Sequence, residues 1–301
     1  MDFTTPVDIP QPSWKIAPCE RMLFVGSCFA DNMGQRFSRE RFRTVVNPYG
    51  VMYNPASIVH TVERLLADGG MPFCENEAGT CVFTLGTNHV YVLKETGEIV
   101  DNCQKRPQRL FNEQLLSVEQ CARYLQQAME AIHHRFPLVR FVFTVSPIRY
   151  RKYGYHGSQL SKASLLLAIE MARQAMPAIT ADYFPSYEIV LDELRDYRFY
   201  CEDMLHPTPQ AIDYIFERFG NAYFTSQTKV FLQQWRPIRE ALGHRPFHPE
   251  SAEYADFIRK TMEKAHALQT QFPEMGNIDV PNYWQDTPSR ETPAQTYHPS
   301  R

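Results

Sequence analysis

Up to about residue 220, short apolar runs alternate with longer stretches whose apolar residues recur every three or four positions. The run at residues 22–25 stops at Gly26, after which Phe29, Met33 and Phe37 share one face of a helix predicted over 27–40. A strand, a tight turn and a helix in this order predict the first βα unit of a parallel sheet. Further along the chain, the pattern predicts strands at 44–46, 81–85, 89–93, 139–145 and 187–191, and helices at 55–67, 117–132, 159–176 and 208–219.

Strands that alternate with helices are typical of a three-layer α/β/α sandwich around a mainly parallel sheet. We therefore expect one flavodoxin-like domain over residues 1–220. Two more helices are predicted at 228–242 and 252–271, and the tail from Pro273 is rich in Pro, Thr, Ser and Gln. We expect residues 221–301 to form a helical C-terminal extension that ends in this tail.

Composition places the chain among globular proteins, with 301 residues, 44% of them apolar and 22% charged. The net charge of −3 provides no long-range attraction to nucleic acid or to an anionic membrane. The N-terminus lacks the basic and apolar regions of a secretory signal, and no apolar run approaches the ~20 residues that span a bilayer. We expect a soluble, cytoplasmic protein without a nucleic-acid or membrane partner; its oligomeric state stays open.

The cysteines give no sign of a disulfide framework or a metal site. Their number is seven, which is odd, and no CxxC spacing occurs. The histidines likewise show no ligand-like spacing with each other or with the cysteines. We therefore expect neither a metal nor a cofactor, and we interpret every cysteine except Cys28 as a reduced thiol in or near the core.

Residues with catalytic potential follow the predicted strands. Gly26-Ser27-Cys28 comes after the first strand, Gly50 after the second, and Gly86-Thr87-Asn88 after the third, while Asp203-x-x-His206 precedes the last helix of the domain. Because the carboxyl ends of parallel strands share one edge of the sheet, these four loops are expected to converge there. Each motif alone is more typical of an ordinary turn, but their order and placement together favour an active site.

The sequence FVGSCFADN at residues 24–32 resembles the signature of the GSCFA-domain family, which is placed among the SGNH (GDSL-type) hydrolases. The resemblance covers about residues 15–220. It includes the motifs NPYG (47–50), TLGT (84–87), NC (102–103), VSP (145–147), SKA (161–163) and DELRDYR (192–198). It implies the SGNH-hydrolase form of the α/β/α sandwich and acyl-ester chemistry.

The resemblance also implies roles for individual residues. The nucleophile lies on the turn between the first strand and the first helix, where the helix N-terminus favours negative charge. His206 is the general base and then the acid, and Asp203 fixes its tautomer. The amide of the nucleophile turn, the amide of Gly50 and the side chain of Asn88 form an oxyanion hole.

Two residues are candidates for the nucleophile. Alignment on Gly26 and on the downstream Asp31-Asn32 puts Cys28 at the nucleophile position, whereas alignment on the serine puts Ser27 there. A thiol suits the position, because a helix N-terminus and a nearby imidazole both lower the pKa of a cysteine. Both candidates are kept.

We expect the protein to hydrolyse a small or carbohydrate O-acyl ester through an acyl-enzyme. One alternative is an O-acyltransferase that uses the same site, and another is a non-catalytic ligand-binding module that kept the SGNH fold. The pair Asp203 and His206 argues against the module, whereas the altered GDS block argues for it.

A basic cluster of Arg149, Arg151 and Lys152 is more typical of a solvated loop, although its position after a strand could meet an anionic substrate. We interpret Lys162 as structural. Residues 192–198 are interpreted as a structural, salt-bridged segment that leads to the catalytic loop.

Overall fold

The computed structural model describes residues 5–101, 103 and 106–278. The chain divides into two compact units, the first ending at Leu232 and the second beginning at Gln233. The predicted Pro-rich tail lies mostly outside the described residues, as does Asn102 of the NC motif. No helix in the described ranges is long and apolar enough to cross a membrane.

Strands and helices alternate through the first unit, and two long helices follow. In chain order they are β1 (Arg21–Gly26), α1 (Cys28–Arg39), β2 (Arg43–Val46), α2 (Pro55–Ala67), β3 (Gly79–Leu85), β4 (His89–Leu93), β5 (Ile99–Val100), β6 (Phe111–Leu115), α3 (Val118–Arg135), β7 (Val139–Val145), α4 (Gly154–Ala175), β8 (Ala181–Tyr183), α5 (Ser186–Glu188), α6 (Pro209–Tyr223), α7 (Ser226–Leu242) and α8 (Ala252–Gln271).

The main sheet is entirely parallel, with the strand order β2-β1-β3-β7-β8. This confirms the predicted α/β sandwich with a parallel sheet and a helical C-terminal region. The order reverses between β1 and β3, and ligands in open parallel sheets bind at such a reversal, outside the carboxyl ends of the strands. A small antiparallel sheet, β5-β4-β6, is inserted after β3.

Both faces of the main sheet are buried. Along β1, Met22 and Phe24 point into one core with α1 and α6, whereas Leu23 and Val25 point into the other core with α2, α3 and α4. Successive side chains of a strand point to opposite faces, so this double burial explains why the strands are continuous apolar runs. The helices on both faces leave only the ends of the strands free to form a site.

The predicted strand at 187–191 is wrong. The last strand of the sheet is β8, and the chain then turns into α5, which continues as a π-helical turn over Ile189–Glu193. A short apolar run fits a buried strand and a buried helical turn equally well, so periodicity does not separate them. Helical spacing brings Ile189, Val190 and Leu194 into the core shared with α1 and α6.

Strands β5 and β6 and the start of α4 also differ from the sequence prediction. Strand β6 was not predicted, because only Phe111 is buried in it and the other residues are exposed; its pairing with β4 defines it. Helix α4 begins at Gly154 rather than at Gln159, because its first turn lacks the apolar residues that signal a helix.

Candidate active site

The turn between β1 and α1 requires a glycine at its first position. Gly26 has φ +149°, and a Cβ atom there would lie 2.1 Å from the carbonyl oxygen of Thr84 on β3. The Gly26 amide donates to Asn47 Oδ1 at 2.8 Å, and Asn47 Nδ2 donates to Asp31 Oδ1 at 2.6 Å. The end of β1 is therefore bound to β3, to the loop after β2 and to α1.

Ser27 is fully buried and caps α1. Its backbone amide donates to the carbonyl and the hydroxyl of Thr84, both at 3.1 Å, and its Oγ accepts the amide of Phe29 at 3.2 Å. An N-cap oxygen that satisfies a helix amide is a structural element. Of the two nucleophile candidates, the geometry therefore favours Cys28.

Cys28 is the first residue of α1 and is partly exposed. Its Sγ lies 3.8 Å from Tyr53 Oη. Burial raises the pKa of the thiol, the hydrogen bond from Tyr53 lowers it by less, and the charge of Asp31 raises it further. The expectation of a lowered cysteine pKa is wrong, and the thiol needs a general base at neutral pH.

Sequence reasoning missed two tyrosines here: Tyr53, which contacts this thiol, and Tyr150, which packs against Tyr53. The rings of Tyr53 and Tyr150 meet edge to face with their centres 5.9 Å apart. Burial raises the pKa of Tyr53 to about 12 and that of Tyr150 well above its ordinary value. The Tyr150 hydroxyl is buried and has no hydrogen-bond partner in the part of the chain that the structure describes. The only available signal was that each tyrosine follows a strand of the sheet.

Asp203 and His206 face each other within a loop formed by residues 201–207, which we call the Asp-His loop. Asp203 Oδ2 lies 2.5 Å from His206 Nδ1, and Oδ1 accepts the amides of Leu205 at 2.8 Å and His206 at 3.0 Å. A carboxylate next to Nδ1 places the proton there and leaves Nε2 as an acceptor. Burial works to raise the pKa of Asp203, but the hydrogen bonds from His206 and Leu205 outweigh it and lower the pKa.

The Asp-His loop is connected to the strand edge through Arg149. The Arg149 amide donates to Leu205 O and its guanidinium to Met204 O, both at 3.1 Å. Arg149 directly precedes Tyr150, so the loop and the Cys28 turn lie at the same edge of the sheet. No hydrogen bond joins His206 to Cys28 or Ser27 among the described residues.

The two predicted oxyanion donors outside the nucleophile turn are already engaged. The Gly50 amide donates to Asn47 O at 2.8 Å within its own turn. Asn88 Nδ2 donates to Leu116 O at 2.8 Å, and the Asn88 amide donates to Ser161 Oγ at 3.0 Å. The oxyanion role of Gly50 and Asn88 stays a prediction.

Lys162 connects the ends of two neighbouring strands through hydrogen bonds. Its side chain is 1% exposed, and Nζ donates to Gly86 O and to Ser146 O, both at 2.8 Å. Gly86 follows β3 and Ser146 follows β7. Burial lowers the pKa of Lys162 to about 7. These bonds agree with the interpretation of Lys162 as a structural residue.

Solved structures similar to this chain include esterases. A carbohydrate esterase of family 3 from Talaromyces cellulolyticus is 8% identical, with a TM-score of 0.41, over 67% of this chain and 95% of that one. An acetyl xylan esterase, Est2A, from the rumen bacterium Butyrivibrio proteoclasticus is 9% identical, with a TM-score of 0.40, over 71% of this chain and 64% of that one.

Among curated protein sequences, none matches the chain. Residues 21–72 and 73–219 match the GSCFA family, and residues 235–280 match the C-terminal domain of GSCFA domain proteins. The first match contains Cys28, Tyr53, Tyr150 and both residues of the Asp203 and His206 pair, and it covers well over half of the chain. The chain therefore belongs to the GSCFA family.

Proposed function

We propose that the protein is an acyl-ester hydrolase that forms an acyl-enzyme on Cys28. The observation that carries this proposal is the 2.5 Å contact between Asp203 and His206, which leaves Nε2 without a partner among the described residues, at the edge where the Cys28 thiol is partly exposed. General-base catalysis at a protonated thiol requires an oriented imidazole, and both groups lie at this edge of the sheet. The substrate class we propose is a small or carbohydrate O-acyl ester.

The reaction proceeds in two steps. His206 Nε2 takes the proton of the Cys28 thiol as Sγ attacks the carbonyl carbon, and the tetrahedral intermediate expels the alcohol, which takes that proton from His206. A water molecule, deprotonated by His206, then attacks the thioester; the acid leaves and the thiol is restored. Asp203 keeps the Nδ1 proton in place during both steps.

The Tyr150 hydroxyl is our candidate for an oxyanion donor. It is buried and has no acceptor among the described residues. A buried donor without an acceptor lowers the stability of the folded protein by about 1–3 kcal/mol. An oxyanion formed at Cys28 provides that acceptor only in the intermediate, which is the condition for transition-state stabilisation. Its high pKa keeps the proton on the tyrosine.

Catalysis also requires Nε2 to approach the thiol. The side chains of Asp203 and His206 are 44% and 38% exposed, so the Asp-His loop has room to move towards a bound ester. Hydrogen bonds that are long in a free enzyme often shorten only in the complex with substrate.

Mass spectrometry of the labelled protein tests the assignment. We would treat the wild type with limiting iodoacetamide and, separately, with 4-nitrophenyl acetate and a fluorophosphonate, and then locate each adduct. The expected result is acetylation and alkylation of Cys28 that both depend on His206, with Ser27 unlabelled. The Cys28→Ala variant should lose turnover by about 10³-fold or more, while Cys74→Ala, which removes another partly exposed thiol, should behave as wild type.

The other outcomes are equally informative. A fluorophosphonate adduct on Ser27 would assign the nucleophile to serine. If neither residue reacts faster than the remaining thiols, the catalytic proposal fails and a ligand-binding module takes its place. Added alcohol that diverts the acetyl group from free acetate would identify an O-acyltransferase.

A further inference from the structure

A pocket of about 460 Å³ lies beside the Asp-His loop, formed by the segment after β7, the start of α4 and the chain that follows α5. Neither Cys28 nor Tyr53 lines it. Its walls include four tyrosines: Tyr155, Tyr187, Tyr197 and Tyr200. Aromatic walls provide flat apolar surface for a ligand that contains a ring.

Arg149 is held at the wall of this pocket. Its amide and guanidinium bind the Asp-His loop, and its guanidinium carbon lies 4.2 Å from the centre of the Tyr155 ring. In the described part of the chain, no carboxylate forms an ion pair with Arg149. A guanidinium has five N–H donors, so most of them remain for a ligand.

Arg195 also lines the pocket, and it is exposed. Within the described ranges it forms neither an ion pair nor a side-chain hydrogen bond. The carboxylate of Asp196 is used by Arg198, whose amide it accepts at 2.9 Å and whose guanidinium lies 3.7 Å away. Among the described residues that line the pocket, Asp192 is then the only carboxylate without an ion pair. The guanidinium groups of Arg149 and Arg195 also have none, so the unpaired charges of the lining are two positive and one negative.

The beginning of α4 adds to the positive potential. This helix of 22 residues starts at Gly154 with no side-chain cap and no acidic residue in its first turn. Tyr155, in that turn, belongs to the pocket wall. The Gly154 amide donates to Arg151 O, so it is the positive end of the helix dipole, and not a free amide of Gly154, that favours an anion here.

We propose that this pocket binds an anionic group, a carboxylate or a phosphate attached to a flat ring, carried by the ester substrate. Arg149 and Arg195 bind the anionic oxygens and the tyrosines contact the ring. The members of the basic cluster seen in the sequence therefore have different surroundings. Lys152 pairs with Glu113 and Tyr91, whereas Arg149 lines the pocket. This inference rests on the proposed esterase function, which places the reacting ester near the Asp-His loop.

Isothermal titration calorimetry with small probes tests the pocket without any need for turnover. The probes are benzoate, phenyl phosphate and the neutral benzamide. At least one of the two anions should bind about tenfold or more tightly than benzamide, because charge-assisted hydrogen bonds are stronger than neutral ones. Added salt should weaken anion binding. The tighter anion identifies the group as a carboxylate or a phosphate.

Substitutions locate the binding. Arg149→Gln and Arg195→Gln should each weaken anion binding about tenfold and leave benzamide binding unchanged. Arg151→Gln is the matched control, since Arg151 is an exposed arginine of the same cluster that is not part of the wall. Because Arg149 also holds the Asp-His loop, Arg195→Gln serves as the variant whose fold is not at risk, checked by circular dichroism.

The two proposals fail separately. Binding of both anions no tighter than that of benzamide, no saturable binding of either anion, or wild-type binding in both pocket variants would overturn the anion pocket. Cys28→Ala should keep full anion affinity; if the wild type binds the anion but labels no nucleophile, the esterase proposal fails and the pocket stands.

Discussion

The two halves of the candidate site are held in opposite ways. The Cys28 turn is buried and bound to β3, to the loop after β2 and to α1 through Gly26, Ser27 and Asn47. The Asp-His loop is exposed and held by bonds within itself, such as Cys201 N to His206 O at 2.8 Å. Arg149 adds contacts from the segment after β7.

In the mechanism that we propose, this difference gives each half of the site a separate role. A nucleophile that is held by residues from distant parts of the chain keeps its position, because moving it would disturb the packing of the whole core. A base that is oriented by a local turn keeps its tautomer while the loop moves as a unit. In that mechanism, the sheet would therefore position the attacking atom, and the Asp-His loop would orient the proton acceptor.

The largest effect should come from Gly26→Ala, which attacks the buried half. The new Cβ would meet the Thr84 carbonyl at 2.1 Å, so β1 and β3 must separate. We expect a loss of unfolding free energy of at least about 4 kcal/mol, the range of severe backbone and packing defects. Urea denaturation measures it. Gly97→Ala is the control, with a positive φ but no atom within 4 Å; equal losses would show that φ alone matters.

Asp203→Asn should remove the proton acceptor of the exposed half and leave the fold intact. The amide nitrogen would face His206 Nδ1, so the ring proton moves to Nε2 and the base is lost. We expect activity to fall by about 10²–10⁴-fold, with little change in unfolding free energy. Steady-state kinetics on 4-nitrophenyl acetate measures this against Glu202→Gln, an exposed neighbour. A fall shared by both variants would point to loss of loop structure.

Lys162→Met should change how stability depends on pH. The folded pKa of about 7 lies below the ordinary value of 10.5, so between these pH values the unfolded chain holds a proton that the folded protein lacks. The unfolding free energy therefore rises with pH in this window, by about 1 kcal/mol per pH unit. Urea denaturation from pH 7 to 9 should show this rise in the wild type and in Lys229→Met, whose side chain is exposed, and a smaller rise in Lys162→Met. Parallel curves in all three proteins would contradict the assignment.

Tyr53→Phe should have the smallest effect, confined to the thiol. The hydrogen bond from the Tyr53 hydroxyl lowers the pKa of Cys28, so removal of the hydroxyl should raise that pKa further. Rates of Cys28 alkylation from pH 7 to 10 measure the shift by mass spectrometry. Tyr155→Phe, in the neighbouring pocket, should follow the wild-type curve. A lower pKa in Tyr53→Phe would mean that the Tyr53 hydroxyl accepts a hydrogen bond from the thiol and does not donate one to the thiolate.

The sequence predicted those elements whose signals are local. The turn at Gly26 and the starts of α2 and α6 depend on neighbouring residues, and the helices predicted at 55–67 and 208–219 begin within one residue of the observed ones. The helical turn at Ile189–Glu193 was missed because its apolar run has no period of its own and packing decides its form. Ser27 could not be separated from Cys28, because only the approach of Thr84 from another strand buries the serine. Tyr53 and Tyr150 carry no motif that marks them.

Arg149 belongs to two structures at once, since it binds the carbonyls of Met204 and Leu205 and also lines the tyrosine-walled pocket. Whatever occupies the pocket and whatever engages the Asp-His loop must therefore act on a shared residue. Thermodynamic reciprocity then applies: if an occupant that fixes Arg149 favours by some factor the loop position in which His206 Nε2 approaches Cys28, that loop position strengthens binding of the occupant by the same factor. Binding of a substrate in the pocket and the position of the Asp-His loop would then be coupled through one equilibrium.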